Sequence, residues 1–201
     1  MKVLAIAGSL RADSHNRRLT EAAAALIAAR GVEVEILDPE VLRSLPHFDQ
    51  DLEADSPEAV ERLRAKIAEA DGLLLATPEY NGSIPSVLKN AVDWASRPRE
   101  DAALKNKPVV VVGASVMPFG AVWAQAELRK VLGAAGARVV DGELALGTAA
   151  DAFHPDPAGD RHLVADETHD TLGGVVKALI DAIERRAQRE ADEATLTGAA
   201  A

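Results

Sequence analysis

The sequence has 201 residues and a formal charge of −10, because 32 aspartates and glutamates outnumber 22 lysines and arginines. Hydrophobic residues make up 48% of it and cysteine is absent, which is enough for a buried core and excludes general disorder, disulfides, thiolate nucleophiles and cysteine metal sites. An acidic chain is a poor partner for nucleic acid or an anionic membrane surface, and no apolar run approaches the roughly 20 residues that a membrane span needs.

Strand-like and helix-like segments alternate along the chain. Residues 2–7 form a short apolar run closed by Gly8, which is typical of a buried parallel strand. Residues 38–55 are predicted to be a long polar loop, and Ser56 followed by Pro57 indicates the cap and first turn of the next helix. The predicted strands are 2–7, 32–37, 73–76 and 109–112, with a last strand or broken pair at 138–140 and 143–146. The predicted helices are 16–30, 56–70, one that begins at 83–85, 120–135 and 173–189.

This alternation predicts the fold class. Strands separated by helices favour an α/β fold, in which a parallel sheet is covered by helices on both faces. We expect one domain over residues 1–190 and a flexible tail over 191–201, which ends in TLTGAAA. The apolar run at the N-terminus is too short for a signal peptide, so we expect a cytoplasmic protein.

Ligands of open α/β sheets bind beyond the carboxyl ends of the strands, where the strand order reverses, so the loops that follow three predicted strands are candidate sites. The first loop, residues 8–16, runs into a helix and carries two hydroxyl groups, an amide and the guanidinium of Arg11. A helix N-terminus beside an arginine favours an anion such as phosphate. The alternative is a plain turn in which Ser14 or Asn16 caps the helix. Rossmann and Walker motifs are absent, which favours a bound monophosphate over a hydrolysed triphosphate.

The second and third loops offer flatter surfaces. Tyr80, the only tyrosine, follows a central strand beside Asn81 and Gly82, and a rigid aromatic with exposed backbone amides suits a planar heterocycle. The alternative is that these two residues form a tight turn and that Tyr80 covers the core. The third loop, 113–121, has small residues at its ends that would let a ligand approach, although turns use the same residues.

Together the three loops resemble the NADPH-dependent FMN reductase family, a flavodoxin-like group that includes quinone, azo and chromate reductases. The resemblance rests on GSLRADSHN, LLLATPEYNGSIPSVLKNAVDWAS and GASVMPFGAVWAQAELRKVL, which cover most of residues 2–140. It implies a flavodoxin-like three-layer sandwich with a five-stranded parallel sheet in the order 2-1-3-4-5. It also implies FMN bound without a covalent bond, with NADPH or NADH as co-substrate.

The resemblance further implies an activity and its site. NAD(P)H gives a hydride to the flavin N5 and leaves, and a flavin, quinone or similar small-molecule acceptor then takes two electrons. No side chain is assigned as a general acid or base. The residues implied around the FMN phosphate are Ser9, Arg11, Ser14, His15 (through its backbone) and Asn16. Those implied beside the ring are Pro78, Glu79, Tyr80 and Asn81, with Ser115 on its other flank.

Two features qualify this assignment. Family members commonly have glycine near position 117 and a Gly-Gly pair at 120–121, where this chain has Met117 and Gly120-Ala121. Met117 and Pro118 would narrow or stiffen the loop over the flavin. For Glu79, a structural or subunit-contact role is favoured over catalysis, because a carboxylate beside reduced anionic flavin would be repulsive.

Oligomer formation and metal binding complete the expectations. The resemblance implies a homodimer or homotetramer, with Trp94 and Trp123 as surface anchors or, equally, as core residues. No metal is expected, because histidine spacings in the polar segment match no ligand pattern. The residues concerned are His154, His162 and His169, with Asp156, Asp160 and Asp166.

Two rival functions remain at this stage. A flavodoxin-type electron carrier would have the same fold and acidic charge, but its phosphate loop would be rich in threonine and glycine, whereas this loop has Arg11. The other rival is a flavin-free scaffold that binds a protein partner.

Overall fold

The computed structural model describes residues 1–153 and 166–198. Its sheet has the order β2-β1-β3-β4-β5 with parallel pairing throughout, and β6 also pairs with β4, which confirms the implied strand order. The strands are β1 (Lys2–Ala7), β2 (Glu33–Ile36), β3 (Gly72–Thr77), β4 (Pro108–Ala114), β5 (Arg138–Val139) and β6 (Ala145–Leu146). The helices are α1 (His15–Ala28), α2 (Pro39–Arg43), α3 (Glu58–Glu69), α4 (Ser86–Ala95), α5 (Val122–Ala134) and α6 (Asp166–Gly198), and 3₁₀ turns span Gln50–Leu52 and Arg99–Asp101.

Helices cover both faces of the sheet. Helices α1 and α6 contribute to one core and α3, α4 and α5 to the other. Neighbouring residues of the central strand β3 point to opposite faces, so Leu74 belongs to the first core while Leu73 and Leu75 belong to the second. All residues of β3 and β4 are buried, as expected for the middle of a parallel sheet with two covered faces.

The register brings the ends of three strands to one edge of the sheet. Ala7 of β1 pairs with Ala76 of β3, which in turn pairs with Val112 of β4. The strand order reverses between β1 and β3, because the chain moves to β2 on one side and to β4 on the other. The three candidate loops therefore leave the sheet side by side, where a doubly wound sheet binds its ligand.

The last strand is interrupted, which is one of the two possibilities that the sequence left open. Both β5 and β6 pair with β4, one near its start and one at its end. Arg129 of α5 lies over the interruption and donates to the carbonyl oxygens of Val140, at 3.3 Å, Val111, at 3.0 Å, and Gly142. These bonds supply donors to carbonyl groups that the broken strand leaves unpaired.

The segment predicted as a loop over 38–55 contains helix α2. Asp38 caps this helix by accepting from the Glu40 N–H, and Pro39 takes its first position. Its five residues are too few for a helical apolar period to be visible. Ser56 is not the cap of α3, because that position is held by Pro57, and the Ser56 hydroxyl instead bonds to Glu53 O and to Arg64.

The structure resolves one alternative that the sequence left open and moves the bounds of the last helix. Trp94 belongs to the core, because it is fully buried and its Nε1 donates to Pro46 O at 2.9 Å. Helix α6 begins before residue 173 and continues to Gly198, so residues 191–198 of the expected tail are helical. Within the described part of the chain, no helix is long and apolar enough to cross a membrane.

Candidate functional site

A cavity of about 290 Å³ lies at the carboxyl ends of β1, β3 and β4. The three candidate loops all contribute to it, and every residue predicted for the site lines it except Asn81. Those residues are Ser9, Arg11, Ser14, His15, Asn16, Pro78, Glu79, Tyr80 and Ser115. Ala114, Val116 and Met117 complete the lining.

The loop from β1 to α1 forms the cationic end of the cavity. Gly8 is required there, because a Cβ at this position would lie 2.8 Å from Leu88 Cδ2 and 3.3 Å from Ala76 O. Ser14 caps α1 by accepting from the Arg17 N–H, which is the role that the plain-turn alternative gave it. The first turn still leaves backbone N–H groups of His15 and Asn16 without partners inside the helix.

Arg11 adds a formal positive charge to these donors. It is exposed at the cavity, and its guanidinium makes no hydrogen bond or ion pair with any other residue that the structure describes. A free guanidinium beside a helix N-terminus suits an anion with several oxygen atoms.

Asn16 has a different side-chain role from the one implied. Its Nδ2 donates to Ala114 O at 2.8 Å and its Oδ1 accepts from Ala114 N at 2.9 Å, and the residue is buried. The amide thus joins the start of α1 to the end of β4. The backbone N–H of Asn16 remains as a donor for a ligand, as does the second N–H of Nδ2.

His15 lies at the same end with an unusual environment. Burial, with smaller contributions from Arg11 and Arg18, holds the pKa of its imidazole below the ordinary value of 6.5. Its Nδ1 is buried and has no hydrogen-bond partner, and the ring lies parallel to that of Phe153 at 6.4 Å between centroids. The imidazole is therefore neutral at pH 7.

The loop after β3 forms the aromatic end of the cavity. Tyr80 and Ser83 exchange backbone hydrogen bonds across Asn81 and Gly82, whose φ angles are 54° and 74°. This is the tight turn that the sequence allowed as an alternative. The same turn projects Tyr80 outward rather than over the core, with 52% of it exposed and its hydroxyl 3.4 Å from Ser9 Oγ.

The carboxylate of Glu79 is held by the start of helix α5. Its Oε2 accepts from the N–H groups of Trp123 and Ala124, at 3.1 and 3.0 Å, in the first turn of α5. The helix N-terminus compensates its negative charge. In return, Glu127 of α5 accepts from the Ser83 hydroxyl at 2.7 Å, so the aromatic loop and α5 are joined twice.

The loop after β4 is held by the segment that contains β6. Ser115 N donates to Leu146 O at 2.9 Å and Ser115 O accepts from Ala149 N at 3.0 Å. The Pro118 carbonyl comes so close to Gly147 that a Cβ there would lie 2.1 Å from its oxygen. The sequence prediction of a stiff Met117–Pro118 loop is consistent with these contacts.

A larger cleft of about 720 Å³ lies at the opposite edge of the sheet, beside Lys107. Some of its charged side chains form ion pairs, for example Arg97–Glu53 and Arg186–Glu190. Among the described residues no group of three or more histidines, aspartates and glutamates is placed to hold a metal. His169 lies in α6, whereas His154 and His162 lie outside the described residues.

Val116 and Met117 line the cavity but were not among the predicted site residues. The sequence had already placed Met117 in a loop that it narrows or stiffens, whereas Val116 had no signal beyond its position directly after Ser115. Apolar side chains in a small-residue loop carry no chemical signature of ligand binding, and only the structure shows that the cavity reaches them.

The geometry defines a class of protein. The doubly wound parallel sheet is a flavodoxin-like fold. One cavity at its switch point contains a cationic helix N-terminus and an aromatic side chain. This combination suits a planar cofactor that carries a phosphate. The sequence profile of the NADPH-dependent FMN reductases matches residues 1–151. The chain belongs to the NADPH-dependent FMN reductase family.

Individual relatives agree with this assignment. A 2-hydroxy-1,4-benzoquinone reductase from a Burkholderia species is 44% identical over 131 residues, which is 65% of this chain and 69% of that protein. An NAD(P)H-dependent FMN reductase from Pseudomonas aeruginosa is 45% identical over 133 residues, 66% of this chain and 69% of that one. The structure of FerB, the flavoenzyme NAD(P)H:(acceptor) oxidoreductase from Paracoccus denitrificans, matches with a TM-score of 0.81 and 37% identity, covering 92% of this chain and 97% of that one.

The protein is an NAD(P)H-dependent flavoprotein oxidoreductase with FMN as its cofactor, and not a simple electron carrier. The residues present fit that cofactor. Arg11 and the free N–H groups of α1 suit its phosphate, and the cavity continues from them to Tyr80, a flat surface suited to its ring.

Proposed function

We propose that this protein passes two electrons from NAD(P)H to a quinone-type acceptor at the cavity described above. The observation that carries the proposal is the continuity of one cavity from a free guanidinium, Arg11, to an exposed aromatic ring, Tyr80, and an apolar rim at Val116 and Met117. A polar end and an apolar mouth suit a phosphate-bearing cofactor covered by an uncharged planar acceptor. The quinone reductases among the relatives support the acceptor class.

The phosphate end would be held by residues of the first loop. We assign the hydroxyls of Ser9 and Ser14, the guanidinium of Arg11 and the backbone N–H groups of His15 and Asn16 to the FMN phosphate. Before FMN binds, the His15 imidazole is neutral at pH 7 and adds no charge of its own. Asn16 contributes through its backbone because its amide joins α1 to Ala114.

The ring would be bordered by the second and third loops. We assign Pro78, Glu79, Tyr80 and Asn81 to one side and Ser115 to the other. The backbone N–H of Asn81 would stabilise negative charge at the ring edge, whereas the N–H groups of Tyr80 and Ser83 are used within the turn. Glu79 fixes the turn against α5 and leaves its own charge compensated there.

FMN, when bound, supplies the hydride chemistry. The protein's own contribution is to bind the phosphate, orient the ring between two loops and keep water from one of its faces. Glu79 is engaged with α5 and His15 is at the phosphate end, so neither is assigned as a proton donor or acceptor for the reaction.

The direct test is an anaerobic stopped-flow experiment. FMN-loaded protein is mixed with NADPH, then separately with NADH, and flavin absorbance is followed. We expect rapid bleaching of the flavin by NADPH or NADH, and recovery of the flavin absorbance when 1,4-benzoquinone is added. Bleaching without recovery would contradict the quinone assignment, and a flavin that neither donor bleaches would contradict the reductase activity itself.

We also propose that the protein is a homodimer or homotetramer. Phe119 and Trp123 lie at the start of α5 with 60% and 54% of their surface exposed, and their rings pack edge to face at 5.1 Å. Paired exposed aromatic residues are typical of subunit contacts.

The expected mass by light scattering is a multiple of the monomer mass. Trp123→Ser lowers it, whereas Leu196→Ser, at an exposed apolar position in α6, leaves it unchanged; a monomeric wild type at micromolar concentration would contradict the proposal.

We further place the protein in the cytoplasm, where the NAD(P)H donor is available. Fractionation of the native host, with recovery of the protein in the cytoplasmic fraction, is the check.

A further inference from the structure

Two apolar side chains at the cavity mouth are exposed without a structural role. Val116 and Met117 line the cavity with 57% and 63% of their surface accessible. Neither belongs to the two hydrophobic cores. When a ligand covers apolar surface at a binding cavity, that surface is removed from water, and this favours binding.

The backbone that carries them is fixed. Met117 N donates to the Ser115 hydroxyl at 3.1 Å, and Met117 O accepts from Thr148 N at 3.3 Å. Pro118 has a fixed φ and restricts the backbone of Met117, the residue before it, and the Pro118 carbonyl lies against Gly147. The Met117 side chain therefore extends from a rigid backbone, so its point of attachment at the cavity mouth is preorganised.

Met117 is also separated from the aromatic pair described above. Phe119 and Trp123 pack against each other and do not line the cavity, whereas Met117 shares the cavity with Tyr80. The exposed apolar surface of this loop thus has two parts, and the part at Met117 opens toward the small-molecule site.

We propose that Met117 is an acceptor-binding residue, whose thioether packs against the face of a planar aromatic acceptor held over the cavity. The inference rests on the proposed function and names a residue that selects its substrates. A thioether is polarisable and unbranched, so it makes favourable contacts with aromatic rings of different shapes. The site should consequently favour aromatic quinones over acceptors that need no contact with the mouth.

The test compares Met117→Ala with wild type in FMN-loaded protein. We expect the KM for 1,4-naphthoquinone to rise between about twofold and tenfold, the range that a sulfur–aromatic contact supplies. The KM for ferricyanide, a non-aromatic acceptor, should not change. Met117→Leu, which keeps the volume, should recover only part of the lost affinity. Val122→Ala is the matched control, because Val122 is exposed nearby but does not line the cavity.

A second readout does not depend on turnover. Binding of 2-naphthoate, a redox-inert planar aromatic, is followed by the change it causes in the flavin spectrum, and Met117→Ala should weaken it by the same factor. If wild type is bleached by NADPH but does not reduce quinones, the quinone function fails and naphthoate binding alone decides the role of Met117. Unchanged naphthoate binding and naphthoquinone KM would overturn the inference. So would an equal loss with ferricyanide, weaker FMN binding or a changed oligomeric mass.

Discussion

At the scale of single residues, Arg11 gives the sharpest prediction. Its guanidinium is exposed at the cavity and has no partner among the described residues, so its removal costs no side-chain contact that the structure describes. Arg11→Ala should weaken FMN binding by about 1.5–3 kcal/mol, the range for a hydrogen bond to a charged group, with the melting temperature of the FMN-free protein unchanged. A fluorescence titration of FMN measures the affinity.

The control for Arg11 is Arg17→Ala in the same helix. Arg17 pairs with Glu21 on the surface of α1 and does not line the cavity. Its removal takes away the same formal charge a few residues further on. Equal losses of FMN affinity in the two variants would mean that net charge, rather than a contact at Arg11, determines binding.

Glu79 distinguishes a positioning role from a catalytic one. Glu79→Gln keeps a side-chain oxygen for the N–H groups of Trp123 and Ala124, so the rate of flavin bleaching by NADPH should stay within about twofold, whereas loss of a general acid or base costs about 10²–10⁴-fold. Glu79→Ala removes the helix cap and should lower the free energy of unfolding by about 0.5–2 kcal/mol. A large rate loss in the Gln variant, with FMN affinity retained, would make Glu79 catalytic.

At the scale of elements, the site depends on how α1 and β4 are joined. Asn16 satisfies both backbone groups of Ala114, a residue 98 positions away. Asn16→Ala leaves a buried N–H and a buried C=O without partners, which costs about 1–3 kcal/mol for each group. Urea denaturation should show this loss, accompanied by weaker FMN binding because Ser115 follows Ala114 directly. Thr20→Ala is a comparison within the same helix, since Thr20 bonds only to its own helix, at Asn16 O; a loss in it as large as in Asn16→Ala would mean that the tie to β4 is not special.

The sequence predicted those elements whose signal is local. The run of residues 73–76 is fully buried as β3, because continuous apolar residues between turn signals have few other solutions in an α/β chain. Helix α2 was missed because five residues cannot display a helical period. The prediction that Ser56 caps α3 was wrong for a different reason. Its hydroxyl bonds to the side chain of Arg64 rather than to a helix N-terminus.

The sequence predicted the part of the candidate site that comes from loops directly after adjacent strands. Arg11 and Tyr80 could be named from residue type and from their places after β1 and β3, and both line the cavity. The partners of Asn16 and Glu79 lie 98 and about 44 residues away along the chain. Such contacts follow from the packed fold and have no signature in one sequence, so the positioning roles of these residues appear only in the structure.

At the scale of the whole molecule, stability and cofactor binding are linked through His15. Folding lowers the pKa of His15 from 6.5, chiefly by burial, with Arg11 and Arg18 acting in the same direction and Asp13 opposing. In the FMN-free protein the unfolded chain therefore binds a proton at a higher pH than the folded one. The contribution of neutral His15 is complete above about pH 6.5 and is lost as the pH falls through the folded-state pKa.

His15→Gln should remove this part of the pH dependence. Urea denaturation of the FMN-free protein at pH 7.5 and at pH 5.5 should show a smaller loss of unfolding free energy on acidification in the variant than in wild type. His47→Gln, at an exposed histidine outside the cavity, should behave like wild type. Because a bound phosphate favours the protonated imidazole, saturating FMN should also reduce the loss in wild type but not in His15→Gln. An identical pH dependence of unfolding in FMN-free wild type and His15→Gln would show that folding does not desolvate His15. An identical effect of FMN in the two proteins would show that the His15 imidazole does not interact with the bound phosphate.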